Sequence, residues 1–503
     1  MKLALLAMVV ILLASTSFAR TLFVAQRASG ASDENSGTEA SPLLTIGAAL
    51  AKVGPGDEII VKQGDYYEEL KLRASGTEEA PITLRAAEGH RVVVTGGQRV
   101  GGWQHLREGI FYVDNWPHKS MALFIDQLPL MRIGPPLNDW YKGKLSPRGA
   151  TLDDLQPGCF FVDEETNRLY IWPKDSDGPE YHPEYKVIEA TVLPELLSPA
   201  REEGVGPVGW WTVKGITFEL ANTLTVAAWP ALHVGGNGFV FADCVVRKCD
   251  FAGIGIVGNR SIIRNCLIEW CGNNGIGAMG KGHILEGTTM QFCNYDQWNQ
   301  GWHCGGIKAT VCKDVVFRNN IARYNWGPGV WFDIDCDNVT IEGNQVYANQ
   351  GIGIHYEISK RGLIKGNLVA DCVRGVWISG SDDCLVEDNL FYHCRQGLVF
   401  HGMPREGYTL RGNRGFRNII LDSQDEEIVV YKDTEASSDN LADYNTYYRH
   451  DGKFSGGREW NGDCFTLTDW QQTGLDTYSR YEDPGYPRAI LGEFPGWPKR
   501  AED

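Results

Sequence analysis

Beyond its first twenty residues, the 503-residue sequence has no apolar run long enough to cross a bilayer, which takes about 20 consecutive apolar residues. No membrane span is therefore expected. The sequence is also short of positive charge: 47 Lys and Arg stand against 64 Asp and Glu, for a formal net charge of −17. That balance argues against a nucleic-acid partner and disfavours a strongly anionic polymer, unless a local basic groove overrides the global field. Zinc-type CxxC and CxxH pairs are missing, so no metal site and no cofactor is expected. Long amphipathic runs are scarce, whereas 59 glycines and a 43% hydrophobic content point to β structure around a large core.

What is there begins with a targeting signal. Residues 1–19 hold one Lys, an apolar stretch and small residues before an expected cut after Ala19. This reads as a signal peptide for a secreted or periplasmic protein. Thirteen cysteines are an odd number, so at least one thiol is unpaired within the chain. Cys249, Cys271 and Cys293 are spaced by 22 residues, as are Cys244 and Cys266, and Cys372 and Cys394. Such spacing reads as stacked small core residues.

The same spacing organises the centre of the chain. AlaLeuHisValGly at 231–235 aligns with segments starting at 253, 275, 306, 329, 353, 375 and 397, at steps of 22, 22, 31, 23, 24, 22 and 22 residues. A near-constant period of short strand-like segments marks a solenoid of stacked parallel sheets. Because strand side chains alternate, the second and fourth positions, such as Ile354 and Tyr356, are expected in the core. The first, third and fifth positions are expected to face outward. Asparagines at 320, 344, 367, 389 and 413 are read as a stacked turn ladder.

The outward set includes Lys308, Trp331, Asp333, His355, Glu357, Trp377 and His401. Asp333 and Glu357 hold the fifth position of consecutive coils, so their backbones should lie about 4.8 Å apart. Like charges so close repel and raise a pKa, and a sheet built for stability alone avoids them. Retaining glycosidases need two carboxyls about 5–5.5 Å apart. Trp331 and Trp377 flank the pair, and the long step before Lys308 brings Trp298, Trp302 and His303 to the same face. These residues and His401 are candidates for binding sugar. Lys308, His355 and Asp335 are candidates for tuning or sharing the chemistry. The competing structural reading makes Asp333 and Glu357 a surface acid pair neutralised by Lys308 and His355. Asp337, Arg361 and Asp383 read as an ion ladder rather than a calcium site.

The stretch 22–96, with its Gly/Ser loop, SerPro, a helical segment at 45–53, GlyProGlyAsp and GlyAspTyrTyrGlu, resembles the opening of secreted right-handed parallel β-helix proteins of the pectate-lyase-like superfamily. The resemblance implies an all-β fold: a right-handed parallel β-helix with an N-terminal capping helix. Between about 101 and 199 the period is lost, and strands such as AlaLeuPheIleAsp at 122–126 and ArgLeuTyrIleTrpPro at 168–173 suggest a small inserted β domain, resembling that of β-helix glycoside hydrolases. The expected organisation is signal 1–19, cap and first coils 20–100, inserted domain 101–205, main helix 206–433 and a packed tail 434–503.

GlyValTrpPheAsp at 329–333, followed one coil later by TyrGluIleSer at 356–359, resembles the acidic pair of β-xylosidases of this fold. The resemblance implies Asp333 as nucleophile and Glu357 as acid/base, with a polysaccharide or oligosaccharide as substrate. Two alternatives stay open. One is a polysaccharide lyase using Lys308, with Arg323 or Arg361 neutralising a uronate. The other is a glycan-binding scaffold without catalysis.

Overall fold

Short strands joined by tight turns wind into a right-handed parallel β-helix. The computed structural model describes residues 19–134, 149, 151–174, 182–202, 206–223, 230–402, 405–431, 433–458 and 462–485. The expected signal segment therefore lies outside the described residues, apart from Ala19. Three parallel sheets of thirteen, twelve and thirteen strands form the sides of the coil.

The predicted alternation sets the core. Leu232, Ile254, Ile276, Ile307, Val330, Ile354, Val376, Leu398 and Ile428 pair in register along one sheet, and all are fully buried. Each such side chain contributes roughly 1.5–3 kcal/mol relative to exposure. The first position behaves differently from the expectation. A Cβ built on Gly253 would stand 3.0 Å from the Cys271 sulfur and 3.1 Å from Ile268 Cγ2. The first-position glycines thus sit at a crowded corner where the chain bends into the sheet, not on an outward face.

All thirteen cysteines are free and buried, with Cys249 and Cys271 in register on neighbouring strands. Asparagine amides run along a second corner. Each of Asn320, Asn344, Asn367 and Asn389 donates a side-chain bond to the next asparagine of the ladder, the last to Asn418 at 2.9 Å. Asn413 does not join them as expected. It pairs with Asn440 at a different corner, because the coil after Asn389 is longer and places Asn418, 29 residues on, in register.

The N-terminal helix, Ile46–Leu50, is capped by Thr45, whose hydroxyl accepts from the Ala48 amide. Its first free amides, Ile46 and Gly47, donate to the Glu68 carboxylate at 3.0 and 2.8 Å, satisfying donors that a helix start leaves open. The described residues past 433 continue the coil before any tail. Leu441–Asp443, Thr446–Tyr448 and Gly456–Gly457 add further rungs to the three sheets.

A separate eight-stranded sheet draws on residues from Gly97–Arg99 to Ile188–Thr191. It has its own core around Leu123, Phe160, Leu169 and Ile171. Phe124 packs with Leu220 and Tyr295 of the coil, and the nearly buried Lys248 ammonium lies 2.7 Å from Glu189. The sheet is thereby held beside the turns that lead into the strands described next.

Candidate active site

The strands Gly305–Lys313, Val330–Asp333, Ile352–Glu357 and Arg374–Ser379 lie side by side in one parallel sheet. Gly305 opens the first at φ +103, where a Cβ would strike the Pro328 carbonyl at 2.0 Å. Only glycine lets the neighbouring coil approach so closely. Lys308, Trp331, His355 and Trp377 are register partners along these strands. Strand spacing puts successive members about 4.8 Å apart, and their side chains form one continuous stack.

Lys308 Nζ lies over the Trp331 ring. Trp331 and His355 stack at 5.1 Å and 21°, and His355 and Trp377 at 4.5 Å and 2°. The Arg374 guanidinium covers the far side of Trp377, 4.4 Å from its centroid. Cations thus cap both ends of an aromatic column, the arrangement the ring quadrupole favours. The faces of Trp331 are engaged by Lys308 and His355, and this residue is buried, so it is not an open platform for a sugar.

The two acids stand at the ends of adjacent strands. Lys308 Nζ is 2.5 Å from Asp333 Oδ2, and both side chains are buried. The other oxygen, Oδ1, accepts the Ile334 amide at 2.8 Å. Burial pulls the Lys308 ammonium down from its usual range, against the pull of Asp333 in the other direction. Glu357 lies near a different set of charges. Arg405 Nη2 is 3.0 Å from Oε1, and His355 Nε2 is 3.8 Å from Oε2. Burial, and then the charge of Asp333, raise the Glu357 pKa, while Arg405 and Lys308 oppose the rise. One acid is therefore salt-bridged to a buried lysine, while its neighbour is biased towards its protonated form.

His355 is pushed far below the usual histidine range by burial and then by Lys308, Arg374 and Arg405. Neither ring nitrogen has a hydrogen-bond partner. It is a neutral spacer in the column, held next to Glu357.

The other predicted residues separate into groups. Trp298 is buried against Phe251 in a cluster beneath the long loop. His303 Nδ1 pairs with Asn273 Oδ1 at 2.8 Å, and burial with nearby Lys308 brings its pKa to about 4. The His401 ring lies 4.4 Å from Tyr431, and its carbonyl accepts the Trp377 indole N–H. Asp335 sits in an exposed left-handed turn at φ +57, unlike the buried pair. Asp337 binds Arg361 at 2.6 Å, and no group of metal ligands occurs among the described residues. Arg405 and Arg374 were missed by sequence reasoning. Arg405 follows the last aligned segment, and Arg374 precedes its own segment by one residue, so neither falls in the alternation that exposed the rest.

Two family descriptions match parts of the chain: "Right handed beta helix region" over 230–391 and "Chondroitinase B" over 43–127. The uncharacterized protein YwoF of Bacillus subtilis (strain 168) is 25% identical over 461 residues, covering 90% of this chain and 83% of YwoF. Among solved structures, the complex of XylC with xylose superposes with a TM-score of 0.60 at 16% identity, covering 88% of this chain and 86% of that one. A structure described as a glycoside hydrolase gives 0.53 at 13% identity, covering 91% of this chain and 99% of its own. At these identities the likeness is one of fold.

Proposed function

We propose that the chain is a carbohydrate-active enzyme and, more narrowly, an exported retaining glycoside hydrolase acting on a polysaccharide or its oligosaccharides. The observation that carries this reading is the pair of buried carboxyls on adjacent rungs, with Asp333 on Lys308 and Glu357 biased towards protonation. Function is argued from this site, since one fold hosts many activities.

In this reading Asp333 attacks the anomeric carbon while Glu357 gives its proton to the departing glycosidic oxygen. The covalent glycosyl ester then leaves Glu357 as a carboxylate, which takes a proton from water as that water attacks the same carbon and frees Asp333. Lys308 positions Asp333. The neutral His355 adds no further positive charge to that of Arg405 beside Glu357; an imidazolium there would favour the carboxylate more strongly. The test is hydrolysis of a panel of aryl glycosides followed by NMR of the first anomer released. Retention, lost in Glu357→Gln, supports the assignment; inversion or undiminished turnover in that variant sinks it.

A lyase is the second reading, favoured by the lowered pKa of buried Lys308. It ranks lower because Lys308 Nζ is already on Asp333. The candidate uronate-binding arginines are placed elsewhere: Arg323 bonds Gln291 and Tyr347, and Arg361 bonds Asp337. Product absorbing in the ultraviolet near 235 nm, from the unsaturated sugar, would move the assignment to this class.

A further inference from the structure

A cavity of about 460 Å³ opens beside the cationic end of the aromatic column, lined by Arg374, Arg395, Gln396, Asp425, Glu426 and Ser455. Its volume lies within the range of ligand sites, roughly 300–1,000 Å³. Arg374, Gln396 and Glu426 are register partners on three successive strands, so the cavity lines the same sheet as the acids. The Ser379 partner of Glu357 lies five residues beyond Arg374, so these two backbone positions are about 16 Å apart along the strand direction.

The lining is polar but balanced in charge. The Arg395 guanidinium lies 2.7 Å from Asp425 Oδ2, and Gln396 Nε2 donates to Glu426 Oε2 at 2.9 Å. Two guanidiniums and two carboxylates cancel formally. A uronate or phosphate entering here would meet Asp425 and Glu426 at close range, where like charges repel. Neighbouring hydroxyls of a neutral sugar both donate and accept. They match carboxylate acceptors set beside guanidinium and amide donors.

We infer that this cavity is a remote subsite for a neutral sugar unit of the substrate chain, so that the enzyme prefers uncharged oligosaccharides to single glycosides and to uronate-rich chains. The inference rests on the hydrolase reading for its place in turnover, but binding tests it separately. The Arg374–Trp377–His355 stack connects its wall to the strand that carries Glu357.

Calorimetry on the Glu357→Gln protein, with neutral xylo- and cello-oligosaccharides and with oligogalacturonides, reads the subsite whether or not the wild type turns over. A neutral chain should bind, with affinity falling at least tenfold in a further Glu426→Gln variant. The Arg395→Lys variant, which keeps the charge, should lose less than Arg395→Ala. Circular dichroism checks that each variant is folded. Preferred binding of oligogalacturonides, no binding of any neutral chain, or equal affinity in folded Glu426→Gln would overturn the inference. In turnover, the ratio of kcat/KM for a long neutral oligosaccharide to that for its aryl monoglycoside should fall at least tenfold in Glu426→Gln. Absence of all hydrolysis would count against the hydrolase reading and leave the binding result to decide the subsite.

Discussion

Arg405 Nη2 stands 3.0 Å from Glu357 Oε1, so that the segment after the last aligned strand reaches the acid pair from outside the repeat. Its positive charge opposes the burial and the Asp333 charge that raise the Glu357 pKa. If Glu357 must be protonated to act, activity is lost as pH rises through its pKa. Removing Arg405 removes a force that lowers that pKa, so Arg405→Gln should move the alkaline limb of the kcat/KM profile upward. Arg405 is half exposed, and exposed ion pairs are worth only about 0–1 kcal/mol. The shift should therefore be a fraction of a pH unit. A limb that stays put, or moves down, would separate Glu357 from the alkaline limb.

The Lys308–Asp333 pair makes a different demand. With both groups buried, removing one partner leaves a buried charge uncompensated, a loss of about 3–5 kcal/mol. Asp333→Asn should therefore be inactive and also markedly less stable in urea unfolding. The double variant Asp333→Asn with Lys308→Met should regain most of the stability and none of the activity. If Asp333→Asn is as stable as the wild type, the ion pair does not hold in solution. If the double variant turns over, Asp333 is not the nucleophile.

How far these residues could be found without coordinates follows from the period. Alternation within the aligned segments placed Lys308, Trp331, His355 and Trp377 on one face and Asp333 beside Glu357, because a parallel sheet repeats its register coil after coil. It could not show that the four would stack on one another, which depends on rotamers and on Arg374 closing the column. Nor could it reach Arg405, which lies in a longer coil where the period fails. The same extra length moved the asparagine ladder from Asn413 to Asn418. The first-position glycines were assigned outward because period two says nothing about where a strand begins to bend.

The asparagine ladder offers a test of the scaffold alone. Asn367 accepts from the backbone amide of Asn344 at 2.9 Å, and its own amide donates to the Ile341 carbonyl and to Asn389. Asn367→Ala leaves buried partners unsatisfied, each at roughly 1–3 kcal/mol. The variant should lose about 2–5 kcal/mol in urea unfolding, with kcat/KM changed little at low temperature. A loss below 1 kcal/mol would show that the ladder bonds are replaced by water.

Glu427 gives the clearest dependence of stability on pH. It is fully buried, its Oε2 accepts the Ser455 amide at 2.7 Å, and Oε1, with no hydrogen-bond partner, stands 3.5 Å from Arg449 Nε, whose charge opposes the effect of burial. Burial raises its pKa from 4.5 to about 7. A carboxyl whose folded pKa is raised binds its proton more tightly folded than unfolded, so it favours the fold below the unfolded value. That contribution is lost as pH rises through the folded value. A shift from 4.5 to about 7 corresponds to about 3 kcal/mol between the two limits. Unfolding free energies of wild type and Glu427→Gln, compared from pH 4 to 8, should therefore diverge. The wild type should weaken relative to the variant between about pH 4.5 and 7, because the glutamine cannot ionise. A constant gap across that window would mean that the charged Glu427 is compensated in the fold, by Arg449 or by water, and that its pKa is not raised.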